Sequence, residues 1–298
     1  MGIMAAANTR VLCFAQPDDA RAECVDRMRR AGTEVVAVVE PLGEPGRSDA
    51  LPLLDTAVQA AHETGANAAL VHVAPEAAAD AMMEAIDAGL ALIVCATRGV
   101  PTRDMVKVIN YLQGSSDLRG PRHSEGHIWL LGPGSAGVIT PGAAMVGTLD
   151  PDVFLPGHVG IVSRSNALAE VVAASLTERG IGQSTCLVTG SALIAPTRLA
   201  DLLGMLEADP DTEAIVIVGG VGGTELEGAA FLRQAVSKPV VAYLAGRGAP
   251  PGINVGADGD FVCAKPNEVE NKAAALREAG AQVVATLEEI APAVSGRV

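Results

Sequence analysis

The sequence predicts an α/β protein built from two doubly wound domains with parallel sheets, and three observations lead there. Short apolar runs alternate with helical stretches along almost the whole chain, the pattern of parallel βαβ units with right-handed crossovers. The composition is 49% hydrophobic but only 2% aromatic, so Ala, Val, Leu and Gly must carry the packing. That mix suits closely stacked layers of helix and sheet. The 298 residues also suffice for two domains, each with its own core.

Taken in order, Val11–Phe14 reads as a strand, Asp18–Arg30 as a helix and Glu34–Val39 as a strand. A helix over Leu53–Glu63, a strand over Ala69–Val73 and a helix over Pro75–Ala88 follow. Leu90–Cys95, a helix over Thr102–Leu112 and the strand Ile128–Leu131 complete the first half. Ligands on such sheets sit beyond the carboxyl ends of the strands. The breaker-rich Gly114–Gly126 precedes a strand, so it is expected on the opposite edge. That placement counts against catalytic roles for His123 and His127, and no third ligand accompanies them for a metal. Gly132–Gly157, rich in Gly and Pro and with little periodicity, is predicted to connect the domains. The expected limits are 1–145, a linker over 146–156, and 157–298.

The rhythm then resumes. Val159–Val162, Ser184–Val188, Ala214–Val218 and Val240–Leu244 read as strands, separated by helices over Ala167–Arg179, Pro196–Ala208 and Thr224–Val236. A loop over Ala245–Asn254 leads to Gly259–Cys263, a helix over Asn267–Ala279 and a strand over Gln282–Ala285. Leu287–Ala291 is a last helical turn ended by Pro292. This second domain is flavodoxin-like rather than dinucleotide-binding.

The net charge of −14 argues against nucleic acid, whose phosphates need a basic face, and against anionic membrane surfaces. No apolar run is long enough to span a bilayer. The start of the sequence lacks the basic and apolar regions of a secretory signal. A cytoplasmic protein is expected. Five scattered cysteines without a CxxC pair suit a reducing compartment. Cys13, Cys95 and Cys186, in or beside strands, are expected to act as small buried hydrophobes.

Val159-Gly-Ile-Val-Ser-Arg-Ser-Asn-Ala-Leu-Ala-Glu170 is the stretch with most chemical content. A buried strand turns at once into a helix through residues that favour helix caps. Ser163, Arg164, Ser165 and the amides from Asn166 and Ala167 onward could hold an anion at the helix start. The plainer reading is a capped βα turn. Arg98 and Ser135, near other strand ends, are candidate ligand-side residues.

Six blocks together resemble one family, the α subunit of succinyl-CoA synthetase and its ADP-forming acyl-CoA synthetase relatives. They are Met83-Glu-Ala-Ile-Asp-Ala-Gly89, Gly132-Pro133 with Gly137-Val-Ile-Thr-Pro-Gly142, Val159-Gly-Ile-Val-Ser-Arg-Ser165, Gly182-Gln-Ser-Thr-Cys186, Asp209-Pro-Asp-Thr-Glu-Ala-Ile-Val216 and Lys238-Pro-Val-Val241. The resemblance implies an N-terminal Rossmann-like CoA-binding-type domain and a C-terminal flavodoxin-like ligase domain. It also implies a β-type partner with an ATP-grasp fold that holds ATP and Mg and makes an acyl phosphate from a small carboxylic acid. In the family that phosphoryl group passes to a histidine on the α subunit.

The ligand-side turns depart from the family pattern. Its Thr-Gly-x-x-Gly CoA turn reads Ala15-Gln-Pro-Asp-Asp-Ala20 here. Pro17 lacks a donor, and Asp18 and Asp19 would repel a pyrophosphate, which opposes CoA binding in the family's manner. The Gly-His-Ala-Gly turn reads Gly256-Ala-Asp-Gly259, placing Ala257 where the phosphorylated histidine belongs. The Gly-Glu-x-Gly-Gly turn reads Gly219-Gly-Val-Gly-Gly223, placing Gly220 where the orienting glutamate belongs. Asp258 and Asp260 in the altered turn could hold Mg²⁺ or act as a base, or be solvated turn residues. His62 and His72 read as structural, and His158 opens a strand on the side away from the ligand edge.

The expected function is thus an α-type subunit of a carboxylate ligase that passes an acyl phosphate directly to an amine or thiol, without a phosphohistidine. A non-catalytic regulatory paralogue is the first alternative, and an ordinary ADP-forming acyl-CoA synthetase subunit the second. No cofactor is assigned to this chain itself.

Overall fold

The computed structural model describes residues 4–15, 19–40, 46–48, 51–118, 127–190, 192, 194–247, 254–255, 261–262 and 268–297. The first half folds as β1 (Arg10–Ala15), α1 (Asp19–Arg30), β2 (Glu34–Val39), β3 (Gly46–Ser48), β4 (Leu51–Leu54), α2 (Ala57–Thr64), β5 (Ala68–His72), α3 (Ala78–Asp87), β6 (Leu92–Cys95), α4 (Thr102–Leu118) and β7 (Trp129–Leu131). Its sheet runs β3-β4-β2-β1-β5-β6-β7 and is parallel apart from the β3–β4 pair. The side chains of β1 alternate between two cores, as the period of a strand requires. Leu12 and Phe14 pack in a core with residues of α2, α3 and α4, while Val11 and Cys13 face α1.

The second half comprises β8 (Gly137–Thr140), β9 (Ala144–Gly147), β10 (Pro156–Ser163), α5 (Asn166–Thr177), β11 (Gln183–Val188), α6 (Leu199–Ala208), β12 (Ala214–Gly219), α7 (Glu225–Ala235), β13 (Val240–Leu244), β14 (Asn254–Val255), β15 (Phe261–Val262), α8 (Glu268–Glu278), β16 (Gln282–Val283) and α9 (Ile290–Ser295). Its main sheet runs β16-β13-β12-β10-β11-β8-β9, with β14 and β15 paired apart from it. The α/β class with two parallel-dominated sheets is as the sequence predicts.

Four local expectations are corrected. Leu53 and Leu54 belong to β4, paired with β2, and the helix begins only at Ala57. Thr56 sets that start by accepting from the Gln59 amide at 3.3 Å. Helix α4 continues to Leu118, into the stretch expected as loop. The expected connector over 132–157 carries the antiparallel β8–β9 hairpin on the edge of the second sheet. Its strands are wholly buried and bounded by glycines, so no alternation marks them in sequence. A Cβ on Gly137 (φ +95°) would lie 1.9 Å from the Val146 carbonyl oxygen, so only glycine allows that approach. Lastly, Pro292 does not end the chain's final helical turn. It sits in the first turn of α9, where a missing N–H breaks no helical bond.

The two sheets share a core. One apolar cluster runs from Val11, Val25 and Met28 through Val138 and Met145 to Val159, Val172 and Val216. Thr33 Oγ1 donates to the Met145 carbonyl and accepts from the Met145 amide, both at 2.7 Å. Arg27 donates to the Thr148 carbonyl at 2.7 Å, and Arg30 pairs with Asp152. Among the described residues no helix is long and apolar enough to cross a membrane.

Candidate functional site

Strand β10 delivers the Ser163–Asn166 turn to the carboxyl edge of the second sheet. Ser163 is fully buried, and its hydroxyl donates to the Ser165 carbonyl at 2.7 Å and accepts from the Ser165 amide at 3.0 Å. Ser165 caps α5 by accepting from the Leu168 amide at 3.3 Å. The amides of Asn166 and Ala167 make no hydrogen bond among the described residues, and Ala167 is exposed. Asn166 Oδ1 accepts from the Ala136 amide at 2.9 Å, and Asn166 Nδ2 donates to the Gly134 carbonyl at 3.2 Å. The helix start is thereby latched to the loop that follows β7. It opens on a cleft of about 460 Å³ between the domains, which Arg98, His72, Cys24 and Arg27 line from the first domain.

Of the candidate residues, Asn166, Ser135 and Arg98 share this cleft, while Ser163 and Arg164 do not line it. Ser135 is almost wholly buried, donating to the Val188 carbonyl at 2.6 Å and accepting from the Gly137 amide at 2.8 Å. Arg98 is exposed. Arg164 turns inward and donates to the carbonyls of Val221 (3.0 Å) and Ala192 (3.3 Å). Burial lowers its pKa, and Glu225 and Glu268 oppose that shift. Arg164 and Ser163 instead line a smaller cavity of about 110 Å³ with Thr189, Thr197 and Glu225.

The Gly219–Gly223 turn, after β12, is held from beneath. Glu225 Oε1 accepts from the Gly220 amide at 3.2 Å, and Glu268 Oε1 accepts from the Gly222 amide at 2.9 Å. Lys272 Nζ donates to the Gly220 carbonyl at 3.0 Å and to the Gly222 carbonyl. It also lies 3.1 Å from both Glu225 and Glu268. Glu225 and Lys272 were not singled out from sequence. The available signal was two charged residues on helices α7 and α8 whose apolar faces must pack on the sheet.

Ala257, Asp258 and Asp260 lie outside the described residues, as do Cys263, His123 and Gln16–Asp18. His62 is exposed on α2, His127 stacks edge-on against Trp129, and His158 is exposed beside the Asp211 carbonyl. Cys13, Cys95 and Cys186 are buried in the cores, and burial pushes the Cys13 and Cys95 thiols up to about 12 and Cys186 higher still. Cys24 differs, since its sulfur lies 3.9 Å from His72 Nδ1 at the cleft. That contact joins α1 to the end of β5 and was not legible in sequence, where His72 reads as structural.

Helix α1 opens on Asp19, which follows Pro17 and Asp18 in the sequence.

Comparison with known proteins agrees with this architecture. Residues 156–295 match the succinyl-CoA ligase like flavodoxin domain, and residues 8–99 match the CoA binding domain. The succinate–CoA ligase [ADP-forming] subunit alpha of Aquifex aeolicus is 42% identical over 255 residues, which are 85% of this chain and 80% of that one. The malate–CoA ligase subunit alpha of Methylorubrum extorquens is 39% identical over 254 residues, 85% of this chain and 83% of that one. Among solved structures, ATP citrate lyase from Methanothrix soehngenii superposes with a TM-score of 0.81 at 20% identity, which speaks to the fold alone. That match covers 99% of this chain, which spans about half (51%) of the lyase chain. With two parallel-dominated α/β domains and this identity across most of its length, the chain belongs to the succinate–CoA ligase α-subunit family.

Proposed function

We propose that this chain is the α-type subunit of a carboxylate ligase that works with an ATP-grasp β-type partner, and that an acyl phosphate passes directly to an amine or thiol without a phosphohistidine relay. One contrast carries the reading. The helix start at Asn166 still opens on the domain cleft, whereas the Gly219–Gly223 turn has no side chain at Gly220 and is tied down by Glu225 and Lys272. Fixed amide dipoles at such a helix start can steady a phosphate while an acceptor attacks. Ala257, in place of a histidine, removes the relay itself. The Aquifex and Methylorubrum relatives are named as subunits, which supports a partner chain. That partner would bind ATP, Mg²⁺ and a small carboxylic acid, because this chain has no GxxxxGK[ST] loop. The setting is cytoplasmic.

A regulatory, non-catalytic role is the second reading, favoured by Arg164, whose guanidinium bonds to backbone carbonyls. The two separate on one preparation, the complex co-purified from the native host. The ligase reading expects ATP consumption that depends on an added carboxylate, with hydroxylamine trapping a hydroxamate. It also expects no acid-labile phosphate on any of the five histidines after incubation with γ-labelled ATP. Labelled histidine overturns the relay-free mechanism, and carboxylate-independent behaviour throughout leaves the regulatory role.

A further inference from the structure

The cleft that would receive an acyl phosphate also contains a thiol with a base beside it. Cys24, on α1, is 7% exposed and lines the cleft, and its sulfur is 3.9 Å from Nδ1 of His72 at the end of β5. Nucleophile–base contacts of this kind are often loose without substrate and tighten when it binds. On the same walls stand Arg98 and Asn166, a cation and the first residue of α5, both suited to a phosphate. Arg27 is occupied by Glu23 at 2.5 Å and by the Thr148 carbonyl, so it fixes the wall on which Cys24 sits. The other buried thiols differ in kind: Cys13 and Cys95 lie within strands and are raised to about 12 by burial. Among the described cysteines, Cys24 is the one that lines this cleft beside a histidine.

We propose that Cys24 is the acyl acceptor, activated by His72, so that a thiol of the protein takes the place of an external carrier thiol. This rests on the acyl phosphate reading above and names its acceptor. His72 takes the proton from the Cys24 thiol, and the thiolate sulfur attacks the carbonyl carbon of the acyl phosphate. A carbon–sulfur bond forms as the bond between that carbon and the phosphate oxygen breaks. Phosphate leaves with the electron pair, beside Arg98 and the start of α5, and takes the proton held by His72 on its departing oxygen. A substrate amine or thiol then attacks the thioester, its proton passes to the freed His72, and Cys24 departs as thiolate to recover that proton. No oxidant or reductant is required.

The probe is acetyl phosphate, added without ATP to the co-purified complex. The expected product is one acetyl group on Cys24, located by peptide mass mapping and removed by neutral hydroxylamine, with Cys13, Cys95 and Cys186 unlabelled. C24A should abolish this label. H72A should slow it by about 10²-fold, the lower end of what a positioned base contributes, and added imidazole should restore part of the rate. Thermal melts of both variants must match the parent; if either has unfolded, C24S and H72Q replace them, with the same loss of thioester expected. Hydroxylamine-stable acetylation on lysines alone, or a Cys24 label whose rate is indifferent to His72, overturns the proposal. The underlying reading fails separately. If ATP and carboxylate yield a hydroxamate while Cys24 stays unmodified, the acyl phosphate stands and the cysteine acceptor falls; if no hydroxamate forms but acetyl phosphate still labels Cys24, the converse holds.

Discussion

Lys272 Nζ lies 3.1 Å from Glu225 Oε2, with both residues almost wholly withdrawn from solvent, beneath the turn where the family pattern has a glutamate. The ammonium also reaches Glu268 at 3.1 Å. Desolvating such charges is expensive, and it is tolerated here because each group also bonds to the backbone of the Gly219–Gly223 turn. The cluster is therefore a frame for the turn, and a frame is most exposed when one member is taken away.

Lys272→Met should cost about 3–5 kcal/mol, because it strands buried carboxylates without their counter-charge. Urea denaturation measures this. The double variant Glu225→Gln/Lys272→Met should recover part of the loss, and a strictly additive result would refute the coupling.

Ser165→Asp separates the cap from the anion site. Aspartate caps a helix as well as serine does, so stability should change by less than about 0.5 kcal/mol. The added charge faces any phosphate held at Asn166 and Ala167. Ligation by the reconstituted complex should fall about 10²–10³-fold, because repulsion beside the phosphate offsets stabilisation of the size one oxyanion donor supplies. Unaltered turnover would reduce the helix start to an ordinary capped turn.

Thr33→Val deletes a hydroxyl that serves both backbone groups of Met145 and leaves them buried without it. A loss of about 1–3 kcal/mol is expected, read by chemical denaturation. Because the larger core runs through both sheets, the variant should still melt in one transition, and two separate transitions would contradict a shared core.

The buried thiols set an alkaline limit. Burial raises the Cys13 and Cys95 thiols to about 12 in the folded chain, against 9.0 for a free thiol. Below the unfolded value both states keep the proton and the full contribution is present. As pH rises from there through the folded value, the unfolded chain sheds protons that the native state retains, and stability is lost. Urea midpoints should fall between neutral pH and a pH just above 9.0, and Cys13→Ala/Cys95→Ala should flatten that fall.

Much of this was legible because parallel strands buried on both faces leave long apolar runs, as in Glu34–Val39 and Val240–Leu244, whose limits match the structure residue for residue. The Ser165 cap was legible for a local reason, since it depends only on residues that follow it. The β8–β9 hairpin was not, because buried antiparallel strands of Gly, Ala and Val show no alternation. The partnerships of Asn166 with Gly134, Cys24 with His72, and Glu225 with Lys272 were hidden for another reason. Each joins residues on different elements, at separations of 32, 48 and 47 in sequence, which only the closed sheet order brings together. Arg164 shows the opposite failure: its place in a recognisable turn was evident, but not the inward direction of its guanidinium.

The first sheet ends at Leu131 and the second begins at Gly137, and the short segment between them is pinned by Asn166 at Gly134 and Ala136. The connection is brief and fastened at two points, and Thr33 and Arg27 of the first half add bonds to Met145 and Thr148 just beyond it. Under the ligase reading an acyl phosphate would have to fit the cleft that this seam borders, and exchanging Arg98 on its wall would retune which substrates it admits.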